Sequence, residues 1–415
     1  MQTYILSVFF LLKLASSVAL TWLYTHYYPL ASSDIYNYFN DGLQLKKVLL
    51  EQPDIFWSIL KNEKTEIVKQ ALEATNYWTY ADVDFFFHEK KSIILLNTLF
   101  SIFSFDSIYV NALFFSMIGF IAQVFLYRFV SQQFPKHRLR NLLIVFALPT
   151  FVLWTSGILK EPILMLFLAL SLWFMELKIR RNNRLYYIPL IASVSALFLV
   201  KSYVAISFLP ALILYGAFKF NRNWTSLFKS RIFYTTLFLE IALVWFSSFT
   251  KFDISRKLAD KQKQFVELIQ QSPKEVGSKI ETVRLSGTLI DFAVAPLKGI
   301  FNVLTRPNFK DYKTIAYLPD LVQNIGLLVL LMLSVLKPKR LLEEEEPFFI
   351  LSLLFIFNLF AIVGMVIPVI GAIVRYKIPA FVFLWLSMSH RINLSLPQHW
   401  MLKERIFTEI KPKLL

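Results

Sequence analysis

The chain has 415 residues, 56% of them hydrophobic and only 17% charged, and it contains no cysteine. A soluble chain of this length would show polar linkers between two or three domains. Here apolar runs near 20 residues recur from end to end, which excludes an ordinary cytosolic enzyme, a disordered protein and a disulfide scaffold; the missing cysteines exclude thiol catalysis and cysteine-based metal sites.

In chain order, the first apolar run covers 4–24. No positive charge precedes it and no small-residue cleavage site follows, so it is expected to persist as a helix rather than to be removed as a signal peptide. A long aromatic segment, 25–106, comes next. Further apolar runs lie near 107–130, 141–157, 162–177, 186–200, 203–219 and 232–250. A second long segment, 251–317, opens with Ile254, Leu258, Phe265, Leu268 and Ile269 on one helical face, as in an amphipathic helix lying on a membrane surface. Residues 288–309 are apolar but interrupted by Asp291, Pro296, Lys298 and Gly299, which suits an interfacial or re-entrant piece better than a span. The last runs are 318–336, 348–369 and 378–390. The expected fold is all-α: a polytopic membrane protein of about ten transmembrane helices with helical extracytoplasmic loops. A single transmembrane domain would cover 1–390, followed by a basic cytoplasmic tail, 391–415.

Charge orients these spans. Lys136, Arg138, Arg140, Lys178, Arg180, Arg181, Arg184, Lys219, Arg222, Lys229, Arg231, Lys337, Lys339 and Arg340 all fall in alternate short connectors, whereas the opposite connectors hold Lys160, Lys201, Arg375 and Lys377. The positive-inside rule then puts both termini in the cytoplasm and 25–106 and 251–317 outside. The formal charge of +16 thus serves topology or lipid phosphate. No zinc-finger, RNA-recognition or helix-turn-helix pattern points to nucleic acid.

The residues that offer chemistry gather on the outside face. Asp34 follows Ser32 and Ser33; it can take a proton from a hydroxyl acceptor, or simply belong to a helix cap. Lys160 and Glu161 stand at the tip of PTFVLWTSGILKEP, where charges are either solvated or, at phosphate depth, functional. Lys201 between two apolar runs either snorkels or meets a phosphate. Arg306 lies in an RPN turn with Arg284 upstream, and Arg375 in GAIVRYKIP is either an interface anchor or a phosphate ligand. Tyr36, Tyr38, Tyr77 and Trp78 offer flat faces for a sugar. Asp82 and Asp84 form a DxD pair with His88 nearby, a set able to hold a divalent metal.

The early outside Asp, the short hairpin spans, the P-x-x-x-x-W-x-S-G-x-x-K-E segment at 149–161 and the R-Y-K-x-P segment at 375–379 resemble the polytopic GT-C-type glycosyltransferases, in particular poorly characterised bacterial members similar to the mannosyltransferase and lipid A sugar-transferase families. The resemblance implies a multi-pass protein of the bacterial inner membrane, acting in cell-envelope polysaccharide biosynthesis. Its donor would be a sugar on a polyprenyl phosphate carrier, and its acceptor a lipid, glycan or protein at the extracytoplasmic face. It implies Asp34 as the catalytic carboxylate, acting as base or positioning the acceptor, Lys160, Lys201, Arg306 and Arg375 as ligands of the lipid phosphate, and Tyr36, Tyr38 and Glu161 as contacts for sugar or acceptor. No cofactor is expected unless Asp82 and Asp84 hold a metal, and the partners are the lipid-linked donor, membrane lipid and cell-envelope assembly proteins. The early acid is single, whereas some subfamilies carry a pair; Asp41 or Asp82 and Asp84 would be the second acid. A polysaccharide polymerase or ligase, a transporter of lipid-linked glycan, and a non-catalytic scaffold are the competing readings. A transporter would show inverted repeats and polar groups at mid-membrane; no repeat is found, and the candidate residues cluster at one face.

Overall fold

The opening apolar run becomes helix α1, Gln2–His26. The computed structural model describes residues 2–26, 33–80, 89–221, 223–251, 253–270, 279–311 and 318–393. Among these the regular structure is helical, with two isolated β-bridges, so the all-α expectation holds.

Local chemistry sets the helix ends. Helix α2, Asp34–Glu51, starts where Ser33, in extended backbone, accepts a hydrogen bond from the Tyr36 amide at 3.3 Å. It stops before Pro53, the first residue of α3, Pro53–Leu60. Thr65 caps α4, Glu66–Leu72, in the same way as Ser33. Helices α5, Glu89–Ser101, and α6, Ile108–Gln133, follow. The expected run 141–157 is not one helix. It divides into α7, Arg138–Ala147, and α8, Pro149–Trp154, because Pro149 lacks an N–H and forces Leu148 into extended geometry. Helix α9, Lys160–Arg181, ends on left-handed Asn182; α10, Tyr187–Val200, and α11, Ser202–Phe220, come next. The remaining helices are α12, Ser226–Ser247; α13, Ile254–Gln270; α14, Asp291–Thr305; α15, Leu318–Leu336; α16, Glu346–Val366; α17, Ile370–Tyr376; and α18, Ile378–His390.

Among the described residues six helices, α1, α6, α9, α11, α15 and α16, are long and apolar enough to cross a membrane, and α17 with α18, bent by 64°, makes a seventh if the pair is one broken span. The expected count of about ten is not confirmed among the described residues. The 141–157 run is broken, the 186–200 run is only the 14-residue α10, and the 232–250 run falls in α12, which also carries Lys229, Arg231 and Glu240.

The chain divides into two compact units, Met1–Phe129 with Val145–Ala147 and Phe151–Ala205, and Val130–Ile144 with Leu148–Thr150 and Ile206–Leu415. In the first, α2 packs closely on α5 because Gly42 faces Asn97; a Cβ on Gly42 would stand 2.6 Å from the Asn97 Cβ. Buried Lys13 of α1 reaches across to residues 152–155: its ammonium donates to the Val152 carbonyl at 3.2 Å and to the Thr155 hydroxyl.

In the second unit α13 is the helix its spacing predicts, but it is tied to protein. Buried Gln262 donates to the Met365 carbonyl of α16 at 2.7 Å and to the Val283 carbonyl at 2.8 Å, and accepts from the Leu285 amide at 2.9 Å. Helices α14 and α16 cross at Gly299 and Gly364, where a Cβ on Gly299 would lie 2.9 Å from the Gly364 carbonyl carbon and one on Gly364 would collide with the Gly299 backbone. Backbone cannot yield as a side chain can, so Gly364→Ala is expected to destabilise the protein by about 1–3 kcal/mol or more. Gly326→Ala, which meets only the edge of the Trp385 ring, should shift the thermal midpoint less. Melting of the two variants in detergent compares them.

Candidate active site

Asp34, Tyr38 and Asp41 recur at the spacing that puts residues on one face of α2. Residues 76–78 lie against that face. Asp41, fully buried, accepts from the backbone amides of Asn76 at 2.7 Å, Tyr77 at 2.7 Å and Trp78 at 3.1 Å. Three consecutive N–H groups that no helix satisfies thus find one carboxylate. Burial pushes the Asp41 carboxyl up, while the three amides and the Lys90 charge pull it back.

With its backbone fixed, Tyr77 donates its hydroxyl to Asp34 Oδ1 at 2.9 Å. The Tyr77 ring is held in turn: Tyr38, buried, meets it edge-on at 5.2 Å between centroids, and the Lys90 ammonium stands 3.9 Å from its centre. Trp78 is buried with the Lys91 ammonium 5.2 Å from its ring. Ser33 supplies the helix cap, so the Asp34 carboxylate is not spent on capping. The sequence offers Tyr77 as a sugar platform and Asp41 as a second acid; the structure makes one the orienting partner of Asp34 and the other the anchor of the loop. Tyr36, one turn into α2, is half-buried.

The Ser156–Gly157 turn packs on the same region. A Cβ on Gly157 would meet Leu20 at 2.7 Å and Ile35, the neighbour of Asp34, at 3.4 Å. Just beyond it Lys160 and Glu161 open α9, and both are buried, which removes the reading of a solvated hairpin tip. Glu161 Oε1 accepts from Lys201 Nζ at 2.7 Å, with both side chains almost wholly inside the protein. Lys201 therefore does not snorkel; it is half of an interior ion pair. A carboxylate in the first turn of α9 also suits the positive end of the helix dipole.

In the second unit Arg306 caps the C-terminus of α14 and pairs with Asp311, whose other oxygen accepts from the Asn308 amide at 2.9 Å, closing the RPN turn on itself. Arg375, in the last turn of α17, is buried with its guanidinium 5.6 Å from the Tyr376 ring, a setting that does not fit an anchor among lipid headgroups. Lys377, which the sequence ranks below Arg375, is buried and engaged as well. Its ammonium donates to the Arg306 carbonyl at 3.0 Å, to Asn324 Oδ1 at 3.1 Å and to the Val303 carbonyl at 3.3 Å.

Asp82, Asp84 and His88 lie outside the described residues. Among the described residues no group of three or more His, Asp or Glu side chains is placed to hold a metal ion.

Residues 93–250 match the family model described as dolichyl-phosphate-mannose-protein mannosyltransferase. The matched stretch runs from α5 through α12 and includes Lys160, Glu161 and Lys201; Asp34, Arg306 and Arg375 lie outside it. No curated protein and no solved structure gives a match.

Proposed function

We propose that this chain is a membrane glycosyltransferase of the GT-C type that moves a sugar from a polyprenyl-phosphate-linked donor to an acceptor hydroxyl at the extracytoplasmic face, with Asp34 as the base. The observation that carries the reading is the Asp34 carboxylate at the head of α2, oriented by the Tyr77 hydroxyl, which Asp41 in turn fixes through the backbone of residues 76–78. A carboxylate so held can take the acceptor proton as the acceptor oxygen bonds to the anomeric carbon. The bond from that carbon to the phosphate oxygen breaks, and the lipid phosphate leaves with both electrons. Cations already in place stabilise the charge that develops there, and Lys160 is the residue of the first unit nominated for that role. Half-buried Tyr36 is the nominated contact for sugar or acceptor, while Tyr38 is buried against the Tyr77 ring.

Two measurements test this. Purified protein in liposomes with a polyprenyl-phosphate sugar labelled in the sugar should move label from the carrier to an added acceptor lipid or peptide; label that stays on the carrier with every acceptor class counts against the reading. For the face, the cysteine-free chain allows single-cysteine labelling. An impermeant maleimide added outside cells should modify Glu63→Cys and leave Arg184→Cys untouched, both positions being exposed. Labelling of both from one side overturns the orientation.

A further inference from the structure

The first turns of α12, the first half of α16 and the last turns of α18 enclose a cavity of about 310 Å³ that takes no part in the site around Asp34. Its wall is apolar: Phe349, Leu353, Ile356, Leu384 and Met388 line it. Its rim is charged. Lys229 donates to Glu346 at 2.9 Å, Ser226 donates to the same carboxylate at 2.6 Å, and Arg391 is exposed beside them. One positive charge is thus left over at the mouth of an apolar pocket.

Inside the cavity lies Ser387, only 3% exposed, and its hydroxyl has no hydrogen-bond partner among the described residues. Helix serines ordinarily return their proton to the carbonyl four residues back, as Ser171 and Ser193 do here. A buried hydroxyl without a partner is costly, so it marks a place where a partner is to be expected. The helix ends around the cavity carry or adjoin Lys219, Arg231, Lys337, Lys339 and Arg340 against the acidic run Glu343, Glu344, Glu345 and Glu346, a surface of net positive charge of the kind that meets anionic headgroups.

We propose that this cavity binds one anionic glycerophospholipid of the adjoining leaflet. The phosphate sits at Arg391 and takes a further proton of the Lys229 ammonium, which has three to offer. An ester oxygen reaches the Ser387 hydroxyl, and one acyl chain lies along the wall from Phe349 to Met388. The volume stands at the small end of the range for ligand sites, about 300–1,000 Å³. That admits one chain segment and is small for a polyprenyl carrier. The five apolar side chains argue against a bare phosphate.

Native mass spectrometry of the full chain in lipid-stripped micelles tests the proposal, titrated separately with dioctanoyl phosphatidylglycerol, dioctanoyl phosphatidylcholine, glycerol phosphate and a short polyprenyl phosphate. Phosphatidylglycerol should bind saturably at one site, phosphatidylcholine about tenfold more weakly, and glycerol phosphate not measurably. Arg391→Gln, on an exposed side chain, should weaken phosphatidylglycerol about tenfold, and Ser387→Ala, which removes only the hydroxyl, about threefold or more. Equal binding of the two phospholipids, or wild-type affinity in both variants, overturns the proposal. Binding of glycerol phosphate as strong as that of phosphatidylglycerol would make the cavity a simple anion site, and preference for polyprenyl phosphate would make it a carrier site; either result also overturns it.

Discussion

Asp34→Asn is expected to abolish sugar transfer, lowering kcat by about 10²–10⁴-fold while the thermal midpoint stays near that of the wild type. The amide keeps the shape of the side chain, and its carbonyl can still accept from the Tyr77 hydroxyl, so the 2.9 Å contact can persist. Helix α2 keeps its start because Ser33, and not Asp34, makes the cap. Only the capacity to take a proton is lost. Tyr77→Phe removes one of the contacts that orient the carboxylate and should cost less, about tenfold in kcat with little change in KM. Asp41→Asn offers one acceptor oxygen where three amides need partners; it should lower both kcat and the melting temperature, which separates loss of position from loss of chemistry. Steady-state kinetics and melting curves on the three variants decide the matter, and retention of more than half the activity in Asp34→Asn would exclude it as the base.

Lys201→Met is expected to produce the largest loss of stability, about 3–5 kcal/mol, because it removes the ammonium that Glu161 is buried against. Changing both residues, Lys201→Met with Glu161→Gln, should recover most of that loss, since the double variant removes both charges of the buried pair. The double-mutant cycle, read from denaturation of all four proteins, gives the coupling energy directly. A lysine whose main task is to hold a lipid phosphate would behave differently: Lys201→Met would lose activity at an unchanged midpoint, and Glu161→Gln would restore nothing.

The sequence makes helices legible where one physical signal dominates. Length and hydropathy mark α1, α6, α9, α11, α15 and α16; a serine before an acid marks the start of α2; apolar spacing marks α13. It misleads where a local rule interrupts hydropathy, as at Pro149, which a sliding apolar window passes over. The surroundings of the candidate site are less legible because they depend on contacts far apart in the chain. Glu161 and Lys201 are 40 residues apart, and each alone reads as a charge at the end of a span. Asp41 and residues 76–78 are separated by two further helices, and the ligands of Asp41 are backbone amides, which every residue but proline has and no residue type announces. Burial is illegible for a related reason: an arginine or lysine between apolar runs looks the same whether it leans into headgroups or, like Lys377, binds carbonyls in the interior.

Lys13 gives the molecule an order of assembly. During synthesis α1 is made well before residues 152–155, with an ammonium near its middle, and a lysine at the centre of a lone helix costs about 2.5–3.5 kcal/mol on entering the bilayer. The groups that receive that ammonium, the Val152 carbonyl and the Thr155 hydroxyl, are made 139 and 142 residues later. Until they arrive α1 is a reluctant resident of the lipid, kept near the interface by its own side chain or sheltered by the insertion machinery. Its final seating is then a late event that locks residues 152–155, and with them the turn at Gly157 that rests on Leu20 and Ile35. A helix made before its partners thus settles only once they arrive, and the packing of Leu20 on the turn at Gly157 waits for it.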